Sequence, residues 1–97
     1  MLRIDMAKTK STHLYILSCG NRVKIGVTSN IDKRIKALQT GNAEKIKVEY
    51  IEERKNPTKA ERFLHRYFHK RRLVGEWFED LTVNEIRSRI MLFFDQD

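Results

Sequence analysis

A single cysteine, Cys19, excludes an internal disulfide, and no group of His and Cys residues has the spacing of a structural zinc site. That scarcity suits a reducing, cytoplasmic setting. No apolar run approaches the roughly 20 residues needed to cross a bilayer, and the opening MLRIDMAKTKST has no hydrophobic centre for export. No membrane partner is expected. Internal repeats, low-complexity tracts and linkers are absent as well. Acid is missing from one stretch in particular. From Arg54 to Arg72 the only acidic residue is Glu61, set among Arg54, Lys55, Lys59, Arg62, Arg66, Lys70, Arg71 and Arg72.

That local excess of positive charge equals the formal charge of the whole chain, +7, so the basicity is a patch and not a general property. Clustered Lys and Arg suit a polyanion whose condensed counterions are released on contact. A carboxylate inside such a patch repels phosphate unless a metal ion lies between them, and hard divalent cations commonly bridge one or two carboxylates to phosphate oxygens. Glu61 therefore reads either as a metal ligand or as the partner of a neighbouring arginine. With 40% hydrophobic and 34% charged residues, the 97-residue chain is expected to form one globular domain over 13–97, preceded by a flexible basic arm over 1–12 that carries Lys8 and Lys10.

The runs HLYILS (13–18) and VKIGVT (23–28) flank the turn residues CGNR and predict a hairpin. Alternation puts Tyr15 on one face with Leu17, and Lys24 on one face with Gly26, where a missing side chain leaves room for a ligand to approach or marks a bulge. After a cap at Ser29 or Asn30, Ile31, Ile35 and Leu38 predict a short amphipathic helix, with Arg34 at the border of its apolar stripe. A third strand is expected over 46–52, with Ile46, Val48 and Tyr50 on one buried face. Asn56 and Pro57 open a second helix whose stripe is Ala60, Phe63, Leu64, Tyr67 and Phe68. Glu61 and His65 lie on one flank of that stripe, and Arg62 and Arg66 are assigned to the other. Thr82 and Glu85 form a capping box for a last helix that turns Val83, Ile86, Ile90 and Phe94 inward. The expected architecture is α+β: a small three-stranded, mainly antiparallel sheet flanked by about three helices.

Tyr15, Lys24, Arg34 and Glu61 stand on four different elements and can face one site. In this order the chain resembles the GIY-YIG nuclease superfamily, with HLY for its first motif and KIG for its second. It is closest to a phage and bacterial branch, through LYIL, VKIGVT, Arg34, AERFLHRYF and GEWF, over about residues 13–80. The resemblance implies a DNA endonuclease using one divalent ion, Mg²⁺ or Mn²⁺. Glu61 would hold the ion and Arg34 the phosphate. Tyr15 would position or deprotonate water, and Lys24, standing where the commoner pattern has tyrosine, would stabilise the phenolate.

His65 is either a hydrogen-bonding member of that site or a structural histidine. Trp77 and Phe78 are expected in the core. Arg62, Arg66, Lys70, Arg71 and Arg72 are expected to contact nucleic-acid phosphates without reading bases. A domain this small binds loosely, so a homodimer or a protein partner is expected to add affinity. The alternatives are a catalytically silent nucleic-acid binder on the same scaffold, since Asn84 does not supply the superfamily's late asparagine, and a module for an acidic protein partner.

Overall fold

Two β-branched and aromatic runs joined by a two-residue turn form the centre of the molecule. In the computed structural model, which describes residues 12–95, strands β1 (His13–Cys19) and β2 (Arg22–Thr28) pair antiparallel from His13 opposite Thr28 to Cys19 opposite Arg22. Gly20 takes φ 64 at the turn, a left-handed conformation open to glycine. The arm expected over 1–12 lies outside the described residues apart from Thr12. Cys19, read as a turn residue, is the buried last residue of β1.

Helix α1 (Ile31–Thr40) starts at Asn30, whose side chain accepts a hydrogen bond from the Lys33 backbone N–H. Strand β3 (Lys47–Glu53) pairs antiparallel with the other side of β1. Helix α2 (Pro57–Tyr67) has its proline at the first position, where a missing N–H costs nothing, while the Asn56 side chain makes no capping bond. A 3₁₀ turn (His69–Arg71) leads to β4 (Trp77–Glu79) and α3 (Val83–Asp95). Thr82 Oγ1 accepts from the Glu85 N–H and Glu85 Oε1 accepts from the Thr82 N–H, the expected capping box.

The fold is α+β as expected, but the antiparallel sheet has four strands in the order β3-β1-β2-β4. The fourth covers only Arg22 to Lys24 of β2. Its three residues are too few for any alternation to stand out in the sequence.

The sheet is covered on both faces. Leu14, Ile16, Val23 and Ile25 pack with Ala60 and Leu64 of α2, Phe68 just after it, Ile86 and Ile90 of α3, and Phe78. Tyr15, Leu17, Cys19 and Ile46 meet Ile31, Ile35 and Leu38 of α1 on the opposite face, together with Trp77. The single buried face expected for β3 is corrected by a bulge: Ile16 pairs with Tyr50 and Leu17 with Val48, so Glu49 is the extra residue. An inserted residue reverses the alternation. Ile46 therefore joins the α1 side and Tyr50 the α2–α3 side, while Val48 is left exposed.

Candidate active site

The shortness of β4 creates the site. Beyond Lys24 the outer edge of β2 has no strand beside it. Ile25 donates its N–H to the Glu76 carbonyl, and His65 Nε2 lies 2.9 Å from the Ile25 carbonyl oxygen. A carbonyl only accepts, so Nε2 carries the proton. Beside this gap α2, packed on one face of the sheet, places Glu61 in one cleft with Glu76.

On the α1 face Tyr15 lies opposite Gly26, and Leu17 opposite Lys24. A Cβ added at Gly26 would collide with the Tyr15 hydroxyl and lie 2.9 Å from Glu76 Oε1. The glycine thus makes room for a phenol and a carboxylate, and there is no bulge at this point. The Tyr15 ring is fully buried, and its hydroxyl accepts a hydrogen bond from Arg34 Nε at 3.3 Å. The rest of the Arg34 guanidinium, on a side chain 42% exposed, keeps donors free for an incoming anion.

Lys24 is buried, with its ammonium 5.2 Å from the centre of the Trp77 ring and 3.2 Å from Glu76 Oε1. Arg34 approaches the same oxygen at 3.9 Å. Lys24 is therefore partnered by Glu76 and not, as expected from the resemblance, by a Tyr15 phenolate. Burial, opposed by the Arg34 hydrogen bond and reinforced by Glu76 and Glu61, raises the Tyr15 pKa above its ordinary value of 10.0. A phenol so placed keeps its proton at neutral pH.

Glu61 takes part in none of the ion pairs among the described residues, which are Lys24–Glu76, Arg34–Glu76, Arg54–Glu52 and Arg71–Glu85. The alternative that it merely answers a neighbouring arginine loses its basis. It instead lines a cleft with Glu76. Burial first, then the Glu76 carboxyl, pushes its pKa up to about 7, against the opposing pull of Arg62 and Lys24.

Glu76 is the residue that sequence reasoning missed. It belongs to the motif GEWF, read for its aromatics, and it lies just beyond the basic stretch in which Glu61 stood alone. The one available signal was that acid's position immediately before the Trp77–Phe78 anchor.

A sequence model of the T5orf172 domain matches residues 12–93. The chain belongs to that family. T5orf172 is a phage-associated domain linked to nuclease-type folds. No curated protein and no solved structure matches the chain.

In this T5orf172 domain the basic residues divide into two groups. Arg62, Arg66 and Arg72 line an open cleft with Glu61, His65 and Glu76. Arg62 and Arg66 are thus neighbours of Glu61 and His65, and their assignment to the opposite flank of α2 is corrected. Successive 100° steps carry positions 61, 65, 62 and 66 around one continuous polar arc. Lys70 and Arg71 line a second and larger cleft with Tyr67, Phe68, His69, Glu85, Ser88 and Arg89. There Arg71 donates to Glu85 at 2.8 Å and to the Asp80 carbonyl at 3.1 Å, so it fastens the start of α3. The first cleft holds the convergent titratable groups and is the better candidate despite its smaller size.

Trp77 and Phe78 pack on opposite faces of the sheet, as expected. His65 stands edge-on to the Phe78 ring, with centroids 5.0 Å apart. The histidine stands at the site's wall, its Nε2 committed to β2.

The residues present suit a hard cation. Two carboxylates line one cleft, and Glu76 Oε1 is buried there beside the Lys24 ammonium, without an aligned hydrogen bond. Among the described residues no group of three or more His, Cys, Asp and Glu could hold a metal ion. An ion here would complete its shell with water and phosphate, as Mg²⁺ does. No helix among the described residues is long and apolar enough to cross a membrane.

Proposed function

We propose that the chain is a divalent-metal-dependent endonuclease of the GIY-YIG type that hydrolyses DNA phosphodiester bonds. The observation that carries this reading is that side chains from four elements gather around Glu76 and Gly26: Tyr15 holds Arg34, Lys24 and Arg34 approach Glu76, and Glu76 shares a basic-rimmed cleft with Glu61.

Each side chain then has a role that follows from its surroundings. Glu61 would hold Mg²⁺ or Mn²⁺. Such an ion, when bound, neutralises charge developing on the phosphate and on the leaving 3′ oxygen. Arg34, already fixed to Tyr15 through Nε, has its remaining guanidinium donors for a phosphate oxygen. Tyr15, holding its proton, accepts from Arg34 and donates to an attacking water, which it orients and does not deprotonate. Lys24 keeps the hollow electropositive beside Glu76. Arg62, Arg66 and Arg72 grip the backbone on either side. His65 supports the wall from which Glu61 projects.

The test is incubation of plasmid DNA with Mg²⁺ or Mn²⁺. Wild type should nick it, whereas Glu61→Ala and Arg34→Ala should fall by two or more orders of magnitude, on the order of the loss when one transition-state donor is removed. Equal nicking by wild type and Glu61→Ala defeats the metal role. A second reading, a silent nucleic-acid binder, is favoured by the Lys24–Glu76 pair, which already balances part of the acid. Salt-sensitive DNA binding with no metal-dependent product would support it.

A further inference from the structure

Glu76 reaches the hollow for a backbone reason. Its carbonyl accepts from the Ile25 N–H, and β4 begins one residue later, so the side chain projects at the point where the covered part of β2 ends. From there Oε1 lies 3.2 Å from Lys24 Nζ and 3.9 Å from the Arg34 guanidinium, yet no donor is aligned with it. Glu76 and Glu61 line one open cleft.

Two carboxylates in one cleft repel unless a proton or a cation lies between them. A residue present only to neutralise Lys24 has no need to share a cleft with Glu61. The observed arrangement puts both carboxylates in one. It offers oxygen ligands from two elements, α2 and the β4 entry, at the site where Glu61 alone would give a divalent ion one carboxylate. For hard cations affinity rises with the number of charged oxygen ligands.

We infer that Glu76 is a second metal-holding carboxylate, which binds the divalent ion together with Glu61 at the edge of β2. The inference rests on the metal-dependent reading above and deepens it from a one-carboxylate to a two-carboxylate site. Lys24 then has a further part: its ammonium holds the Glu76 carboxylate in place when no divalent ion is there.

Mn²⁺ uptake, followed by the electron paramagnetic resonance signal of the free ion, tests this without reference to cleavage. The titration is run on the full chain, with and without a duplex oligonucleotide. Glu76→Gln, which keeps the shape of the side chain, should weaken uptake by at least about tenfold, the lower end of what even an outer-shell partner costs. Glu76→Asp, which keeps the charge on a shorter stem, should lie between Gln and wild type. Circular dichroism should show both variants folded; if Glu76→Gln is not, Glu76→Asp carries the comparison. Uptake by Glu76→Gln or Glu76→Asp equal to wild type, with loss confined to Glu61→Gln, overturns the role of Glu76 and leaves that of Glu61 standing. A wild type that takes up no Mn²⁺, with or without DNA, removes both.

Discussion

The Lys24 ammonium and the Glu76 carboxylate lie 3.2 Å apart at the end of β4, with Lys24 almost entirely buried and Glu76 about one-third exposed. Each charge depends on the other; Lys24 is held by β2 and Glu76 by the turn that leads into β4. The pair therefore reports on whether β4 and β2 are correctly docked.

Removing one member should cost more than removing both. Lys24→Met leaves Glu76 beside Glu61 with no compensating ammonium, and we expect a loss of roughly 1–2 kcal/mol. A fully buried pair broken on one side costs about 3–5 kcal/mol, but solvent screens Glu76 here. The double variant Lys24→Met/Glu76→Gln should recover part of that loss. Urea denaturation of the two single variants and the double variant measures the coupling.

Gly26→Ala should disturb the hollow directly. The added methyl meets the Tyr15 hydroxyl and Glu76 Oε1, and Tyr15 is fully buried, so its ring cannot yield freely. Overpacking of this kind costs typically about 1–3 kcal/mol. Nicking should fall further than the folded fraction does, because the two displaced groups belong to the site. Full activity in Gly26→Ala would show that their positions do not matter.

Stability of the metal-free protein should fall as pH rises. The Glu61 pKa is raised from 4.5 to about 7 in the folded state, so the folded chain binds the extra proton across that window. The slope of unfolding free energy with pH follows protons bound in the unfolded state minus those bound in the folded state, and here it is negative. In EDTA the Tm should therefore decline between about pH 4.5 and pH 7, with Glu61→Gln flattening that decline. A decline of equal depth in Glu61→Gln would place its origin elsewhere.

The two basic groups should separate in their effects. Arg62→Gln, Arg66→Gln and Arg72→Gln should each lower the salt dependence of duplex binding, by up to about 0.9 in the log–log slope per lost phosphate contact. Arg71→Gln should act chiefly on stability, since it breaks the tie to Glu85 and Asp80. Exposed pairs of this kind are worth about 1 kcal/mol or less. Filter binding across a salt series, paired with thermal melts, distinguishes the two.

Much of this was legible locally. The alternation in 13–18 and 23–28, the stripe of α1 and the Thr82–Glu85 box are each specified within a few residues, because strand and helix periods and caps are short-range properties. The order of Tyr15, Lys24, Arg34 and Glu61 was visible for the same reason, each lying at a readable place on its own element. The β3 bulge was not visible. Skipping Glu49 is settled by which residues of β1 are available to pair, and the consequence is that Ile46 and Tyr50 face opposite layers.

Residue types and their spacing thus established the strands, the helices and the four reactive side chains of the first reading. Folding alone established that β4 stops beside Lys24, that Glu61 and Glu76 line one cleft, and that Glu76 pairs with Lys24 at that edge. Side chains more than a dozen residues apart meet only through packing, and where a three-residue edge strand ends is decided by its neighbours in space.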